Sequence, residues 1–558
     1  MELVRSTTEF SRQPVFRETV KKLASAENLV LYCGAGVTID FTGLDWGALN
    51  SKLFEGLIAG LPREEEAKRL LGVLGPIGLS SILEEAYARA KNGDAAVGRK
   101  VRHDRMRDLL YRTDHWQTGR LADSICRLSV AFLRRGRSVT ILTTNQDTFL
   151  EITFKKYIDE AIADGHALNL PPEPHITVLG EEPAQASEPA STNQLKVVYL
   201  HGRIPDHGEG EVQGFVPNGE VDFSTRHEIV RDEILRHLRD QEGAFVAVGT
   251  SLRDQPIIEA LALDRDGTMD KSCLIPVPFG ELSIDTAEAQ ERLLTFLQFR
   301  ASHLGFTFVF PDFYSQYPQF FQEVVSELNH PGGLSHGGRL DLWEKTWREG
   351  KFASDPSHAH ASTADLLAAV RAELNGAKSS YAAPAEERFR LEVWRRDPGK
   401  RRLVLHAQSS GEIRDPDVAR FAEIAHYSGN CSVDSFIAGR PLLKRADDYE
   451  RSRKDQRPWN PRWKHYLSVP IAIPYKNGVV SVGVLTLTTM SEDSTLTLVR
   501  DGFPHILLSI CTKMRSYGAQ FLGIDEDTAV TTPADSVSLE TQAIDIVTSF
   551  GIGSSTDR

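Results

Sequence analysis

Leu29-Val30-Leu31-Tyr32-Cys33-Gly34-Ala35-Gly36-Val37-Thr38 decides the fold of the first half of the chain. Five apolar residues in a row, with no polar alternation, read as a strand buried on both faces of a parallel sheet. Glycine follows at once. Gly34 and Gly36 lack a Cβ, so the chain can turn sharply and bring backbone N–H groups close to a pyrophosphate, as at other strand-to-helix phosphate sites. Neither the three-glycine dinucleotide fingerprint nor a phosphate loop ending in Gly-Lys-Ser/Thr is present, so a plain tight turn is the other reading of this segment.

Three further segments repeat the pattern. Ser138-Val139-Thr140-Ile141-Leu142-Thr143-Thr144 ends in Asn145-Gln146-Asp147. Lys196-Val197-Val198-Tyr199-Leu200 ends in His201-Gly202, and Ala244-Phe245-Val246-Ala247-Val248 ends in Gly249-Thr250-Ser251-Leu252. Polar groups at the C-terminal ends of parallel strands face the ligand crevice of an open α/β sheet, so these ends are expected to converge on one crevice. Each residue also has a structural use: Asn145 and Asp147 as helix caps, His201 as a satisfied histidine beside a turn. The ordered set favours a site.

In this order the four segments resemble the nicotinamide-dinucleotide site of sirtuin-like proteins, which break the nicotinamide glycosidic bond. The resemblance implies NAD+ as substrate, bound by Gly34, Ala35, Gly36, Thr38, Asp45, Thr144, Gly249, Thr250 and Ser251. It also implies that Asn145 holds the nicotinamide ribose and the attacking water, that Asp147 orients the nicotinamide amide, and that His201 acts as general base. The chemistry is consistent with those residue types. A cationic pyridinium leaves as a neutral group and needs little acid assistance, so the remaining tasks are to stabilise an oxocarbenium-like sugar and to position a nucleophile. An imidazole titrating near neutrality suits the second task.

Departures from the deacylating sirtuins are equally informative. Those enzymes carry a zinc ribbon of paired Cys-x-x-Cys, whereas Cys33, Cys126, Cys273, Cys431 and Cys511 are the only cysteines here and none stands at ligand spacing from another. No metal is expected. The Pro-Asp-Phe-Arg continuation of the family's phosphate loop is replaced by residues 43–49, and a helix-rich insertion is expected over about 62–137. This combination resembles the sirtuin-like domains of bacterial antiphage defence proteins, which degrade NAD+ and starve the infected cell. Protein deacylation is argued against, because the acyl-lysine groove lies beside the missing zinc module.

Composition sets the remaining bounds. At 558 residues the chain is long enough for two or three domains. Its formal net charge of −13 argues against nonspecific nucleic-acid binding. No apolar run reaches membrane-spanning length, no signal-peptide core is present, and unpatterned cysteines fit a reducing cytoplasm. The basic stretches 99–107 and 451–457 read as solvated faces, and the Glu/Ala/Ser/Pro-rich segment 180–193 as a flexible excursion.

The first domain is expected to close near residue 329, followed by linker and helices over 330–386: a breaker cluster at 330–338, a charged helix over 340–350 and a linker over 354–361. From residue 387 the period changes to strands, with a hairpin over 389–407, a helix over 415–427, and strands over 466–473 and 481–487. Ala438-Gly439-Arg440-Pro441, Ser468-Val469-Pro470-Ile471 and Val482-Gly483-Val484-Leu485 resemble a GAF domain, placed over 387–525, which implies small-ligand sensing or assembly. The tail 526–558 is expected to be flexible. The expected fold is therefore α/β, a Rossmann-like parallel sheet with a helical insertion, followed by an α+β GAF-like antiparallel sheet. The expected function is a cytoplasmic, homo-oligomeric NAD+ glycohydrolase under the control of a small-molecule or protein activator. A catalytically silent module that senses NAD+ or ADP-ribose is the alternative.

Overall fold

The computed structural model describes residues 10–522 except 11–13, 43, 56–63, 112–119, 164–169, 172, 180–193, 209, 218, 240–241, 251, 253, 276–286, 312–313, 333–335, 350–354, 379–386, 398–401, 410–419, 425–429, 448–461, 474–479 and 503. Ser251, the segments 180–193 and 451–457, and the tail 526–558 lie outside the described residues.

The first half runs α1 (Pro14–Ser25), β1 (Asn28–Cys33), a 3-10 turn (Ala35–Val37), α2 (Ile39–Thr42), α3 (Trp46–Glu55), α4 (Glu64–Ala90), α5 (Ala95–Leu110), α6 (Arg120–Leu133) and β2 (Ser138–Thr143). It continues with α7 (Phe149–Ala163), β3 (His175–Val178), β4 (Leu195–Tyr199), α8 (Glu220–Arg239), β5 (Ala244–Val248), α9 (Gln255–Leu263), β6 (Asp270–Leu274), α10 (Ala287–His303), β7 (Thr307–Val309) and α11 (Gln316–Asn329). The seven strands form one parallel sheet in the order β3-β4-β2-β1-β5-β6-β7. With the edge strand β3 set aside, the remaining six renumber as 3-2-1-4-5-6. The chain builds outward on one side of β1 and then returns to build on the other, so the reversal lies between β1 and β5.

The continuous apolar runs have the physical cause read from the sequence: both sheet faces are covered. Leu29, Leu31 and Cys33 of β1 pack among α1, α6, α7 and α11, while Val30 and Tyr32 pack among α8, α9 and α10. Each such fully buried large apolar side chain contributes about 1.5–3 kcal/mol. Helix α8 shows how the outer layer attaches. Val230, Glu233, Ile234, His237 and Leu238 recur at helical spacing on its buried face, with acids in its first turn and basic groups in its last, both favourable to the helix dipole.

The insertion is narrower than expected. Eleven of the fourteen residues of α6 are buried, and they join the sheet's own core, so α6 is part of the sheet's helical layer. The separate module is α3 to α5, whose core of Leu49, Leu53, Leu79, Leu83, Tyr87, Met106 and Leu110 closes over Ile204 and Val216 beyond β4. Gly98 lets α5 lie against α4, because a Cβ there would stand 2.8 Å from the Ala88 Cα. The basic stretch 99–107 is not simply a solvated face. Arg102 is fully buried and donates to the Ser80 hydroxyl at 2.6 Å, and burial pushes its guanidinium down to about 10.

The second half contains α12 (His336–Glu349), α13 (Pro356–Lys378), β8 (Phe389–Arg396), β9 (Arg402–Gln408), β10 (Phe421–Glu423), α14 (Cys431–Ala438), β11 (Leu442–Arg445), β12 (His465–Ile473), β13 (Val480–Thr489), α15 (Thr495–Gly502) and α16 (Pro504–Phe521). Its six strands form an antiparallel sheet in the order β10-β9-β8-β13-β12-β11. Two expectations are corrected. Residues 421–423, expected in a helix over 415–427, form the edge strand β10, whose Phe421 and Ala422 pair with Val404 and Leu403; the Arg402 guanidinium lies over the Phe421 ring at 5.1 Å. The helix expected over 340–350 is present as α12 and starts four residues earlier, inside the expected breaker cluster, whereas the linker expected over 354–361 is from residue 356 the start of α13. Leu340, Trp343 and Trp347 of α12 and Leu366, Leu367, Val370 and Leu374 of α13 recur at helical spacing and enter the core beneath β8, β12 and β13. The charged residues of these helices had masked that stripe.

The two halves touch where α14 ends. The Ser315 N–H donates to the Ile437 carbonyl at 2.9 Å, and Arg120, the first residue of α6, bonds the Gly439 carbonyl. Gly439 takes φ +66°, and a Cβ there would stand 2.8 Å from the Ser315 Cβ.

Candidate active site

The turn after β1 and the turn after β2 meet at the C-terminal edge of the sheet. Between them lies a small cleft, open to solvent and lined by Ala35, Thr38, Asp45, Trp46, Thr144, Asn145, Gln146 and Asp147 among others. Six of the residues expected from sequence are thus brought together.

Thr38 is the centre of the arrangement. Its hydroxyl donates to Asp147 Oδ2 at 2.9 Å and accepts from Asn145 Nδ2 at 3.0 Å, linking positions more than a hundred residues apart. All three side chains are buried. Burial pushes the Asp147 carboxyl up to about 6, while donation from Thr38 and from the Phe149 N–H holds it down. With Asp147 ionised, the Thr38 proton is committed to the carboxylate, so the amide of Asn145 presents its NH2 to Thr38. Asn145 Oδ1 is then left buried without a partner, and so is Gln146 Oε1 beside it. Buried polar atoms are nearly always hydrogen-bonded. Two orphaned acceptors next to a carboxylate suit a ligand that donates hydrogen bonds and develops positive charge.

Hydrogen bonds from distant elements support these residues. Tyr111, just past α5, accepts the Thr148 N–H at 2.7 Å and donates to the Ile204 carbonyl at 2.8 Å. The Ile204 N–H donates to the Gln146 carbonyl at 2.7 Å, fixing the backbone that carries the orphaned amide. Glu151 receives Arg203 through two bonds of 2.7 and 2.8 Å and the Tyr199 hydroxyl at 2.5 Å, which ties the start of α7 to the turn after β4. A bidentate, half-buried pair of this kind is geometrically specific.

The glycines serve differently from expectation. Gly34 and Gly36 were expected to free backbone N–H groups for a pyrophosphate, but those groups donate to the Val248 and Gly249 carbonyls at 3.0 and 2.9 Å. Their missing Cβ atoms instead allow the turn to lie against β5's end: a Cβ at Gly34 would be 2.4 Å from the Gly249 oxygen, and one at Gly36 2.9 Å from the Gly249 Cα. Gly249 itself takes φ +66°. Thr250 accepts the Leu252 N–H at 3.2 Å, supporting Leu252 at φ +49°, a left-handed conformation that costs a non-glycine residue about 1–3 kcal/mol. Asp45 stands exposed at the cleft rim, where its carboxylate accepts the Ala48 N–H at 2.7 Å as a cap of α3.

His201 stands apart. It lines a small neighbouring pocket with Leu200, Phe215, Arg226 and Val230 rather than the cleft. The Phe223 ring connects the two, edge-on to His201 at 5.3 Å and to the cleft residue Trp46 at 6.4 Å between centroids. His201 Nε2 lies 4.0 Å from Asp254 Oδ2, and Nδ1 is buried without a partner. Burial pushes its imidazole below 6.5, with the Asp254 carboxylate and a backbone hydrogen bond at Leu200 opposing.

Sequence reading had passed over Gln146, Trp46, Asp254 and the Glu151–Arg203 pair. Gln146 lies within the Asn145-Gln146-Asp147 turn and Asp254 four residues beyond Thr250, so the sequence displays their position and not their role. All five cysteines are buried and free, and burial raises the Cys33 thiol beyond any nucleophilic range. Among the described residues no group of three or more His, Cys, Asp or Glu side chains gathers to hold a metal, and no helix is long and apolar enough to cross a membrane. No protein-family model matches the chain, and no curated protein matches it.

Proposed function

We propose that the chain hydrolyses NAD+ to nicotinamide and ADP-ribose in the cleft between the β1 and β2 turns. The observation that carries this reading is the Asn145–Thr38–Asp147 network with its two orphaned acceptors. In the proposed reaction Asn145 Oδ1 accepts from a ribose hydroxyl or from the attacking water, and Gln146 Oε1 accepts from a second donor of the ligand. The Asp147 carboxylate offsets the positive charge that develops on the ribose as nicotinamide departs. Nicotinamide leaves with the bonding electron pair, water adds to the ribose carbon, and His201 takes the proton. The strand order 3-2-1-4-5-6 supports a Rossmann-like assignment, with the cleft at the C-terminal ends of the strands on the β1–β2 side of the β1–β5 reversal. The antiparallel half, with helices on both faces, is read as GAF-like. By resemblance the enzyme is an abortive-infection effector, active as a homo-oligomer and released by a small-molecule or protein signal.

One observation favours the second reading, a silent NAD+ or ADP-ribose sensor: His201 lines a pocket separate from the cleft. Incubating the full chain with NAD+, with and without an acyl-lysine peptide, separates the readings by chromatography. Peptide-independent appearance of nicotinamide and ADP-ribose supports hydrolysis. Bound but intact NAD+ supports the sensor, and a peptide requirement supports deacylation.

A further inference from the structure

The hydrolase reading leaves one polar group at the sheet's C-terminal edge without a role. Asp254 stands at the N-cap of α9, yet its side chain makes no capping bond. Its Oδ2 instead accepts the Tyr32 hydroxyl at 2.8 Å and faces His201 Nε2 at 4.0 Å. Tyr32 is fully buried in β1, and burial raises its phenol well above 10, so it remains a proton donor to the carboxylate at every working pH. Three adjoining elements, the β1 strand, the turn after β4 and the start of α9, thus place tyrosine, carboxylate and imidazole in a row.

We propose that Asp254, anchored by Tyr32, is the positioning residue that sets the tautomer and basicity of His201. The carboxylate favours a proton on Nε2, which leaves the buried, unpartnered Nδ1 with its lone pair free to take a proton. When His201 accepts that proton, the imidazolium forms beside a carboxylate already fixed by the Tyr32 bond, and closing the 4.0 Å separation makes a hydrogen bond from Nε2. Apo structures often hold such pairs at longer distance than the reacting complex does. The Leu200 backbone also bonds the ring and acts with Asp254 against the effect of burial. Phe223 of α8 packs against it edge-on, and Arg226, also of α8, lines the same pocket with its guanidinium over the Phe215 ring at 4.4 Å. Asp254 is the carboxylate within ion-pair reach of the ring. The pairing stands on geometry alone; its consequence for NAD+ cleavage rests on the hydrolase reading.

The test is a histidine NMR titration of the full chain labelled at imidazole carbon, with the His201 signal assigned by its loss in His201→Gln. Asn preserves the shape at residue 254 and is as good an N-cap as Asp. In Asp254→Asn the His201 pKa should therefore fall by about one pH unit, since an opposite charge within about 4–6 Å shifts a group by that order. Tyr32→Phe should lower it less, and Asp254→Glu should restore it. In NAD+ turnover, Asp254→Asn should lower kcat about tenfold or more with little change in KM. An unchanged His201 titration in folded Asp254→Asn overturns the proposal. A shifted titration in protein that never releases nicotinamide upholds the pairing and overturns the hydrolase reading instead.

Discussion

Replacing Thr38 by Val removes one hydroxyl from the centre of the cleft while keeping its shape, and the structure sets both the size and the pH dependence of the loss. Two hydrogen bonds disappear, one donated to Asp147 and one accepted from Asn145, at 2.9 and 3.0 Å and fully buried. The folded-state value of Asp147, about 6, lies above its ordinary 3.8, so folding favours the protonated form. That contribution is fully present below pH 3.8 and is lost as pH rises through 6, amounting to about 3 kcal/mol by pH 8. The Thr38 bond limits this cost, because it favours the charged form. At pH 5, where Asp147 is mostly protonated, Thr38→Val forfeits neutral bonds and should cost about 1 kcal/mol. At pH 8 it strips a donor from a buried carboxylate and should cost about 2–4 kcal/mol. Hydrogen exchange by mass spectrometry on peptides from β2 and the β1 turn, in matched urea series at the two pH values, reads this region separately from the second half. A cost equal at both pH values, or below about 0.5 kcal/mol at pH 8, refutes the bridge.

Four other outcomes follow from the same structure. Asn145→Ala and His201→Ala should each lower NAD+ cleavage by about two to four orders of magnitude, measured with a fluorescent NAD+ analogue, because each removes one positioned group. The rate should also fall below about pH 6 as Asp147 takes up a proton and loses the charge that offsets the oxocarbenium-like sugar; a flat profile from pH 5 to 8 contradicts that role. Gly36→Val should weaken NAD+ binding and thermal stability together, by about 1–3 kcal/mol of overpacking against Gly249, and calorimetry that finds one intact without the other separates ligand contact from loop packing. Truncation after residue 330 should leave a folded first half with altered control of turnover, whereas truncation after 386 should aggregate in light scattering, since it strips the cover from Leu340, Trp343, Leu366 and Val370.

The centre of the first sheet was legible because its physics is local. Strands buried on both faces must be apolar throughout, and β1, β2, β4 and β5 each end in a glycine or polar turn that the sequence displays. Edge strands lack that constraint. The edge strand β3 is half exposed, and β6, though interior, begins Asp270-Lys271-Ser272, so neither advertises itself. β10 read as helix because three residues carry no period, and only pairing with β9 decides their state. The start of α13 reads as linker, and α12 as a merely charged helix, because His, Gly and charged residues surround an apolar stripe whose partner, the second sheet, lies downstream. At the site, residue types were visible but their bonds were not. The Thr38 bridge, the Tyr111 clamp on Thr148 and the Tyr32–Asp254–His201 row all join residues far apart in sequence, and nothing local specifies them. The glycines were seen and their purpose misjudged, because a close approach of two turns and a close approach to phosphate demand the same missing Cβ.

The most direct measurement pairs NAD+ binding with nicotinamide release on the same preparations of wild-type chain and Asn145→Ala, with and without extract of phage-infected cells. The expected result is that both proteins bind NAD+ and only the wild type releases nicotinamide. Wild-type protein that binds NAD+ and leaves it intact under every condition contradicts hydrolysis, and Asn145→Ala turning over at the wild-type rate contradicts the site.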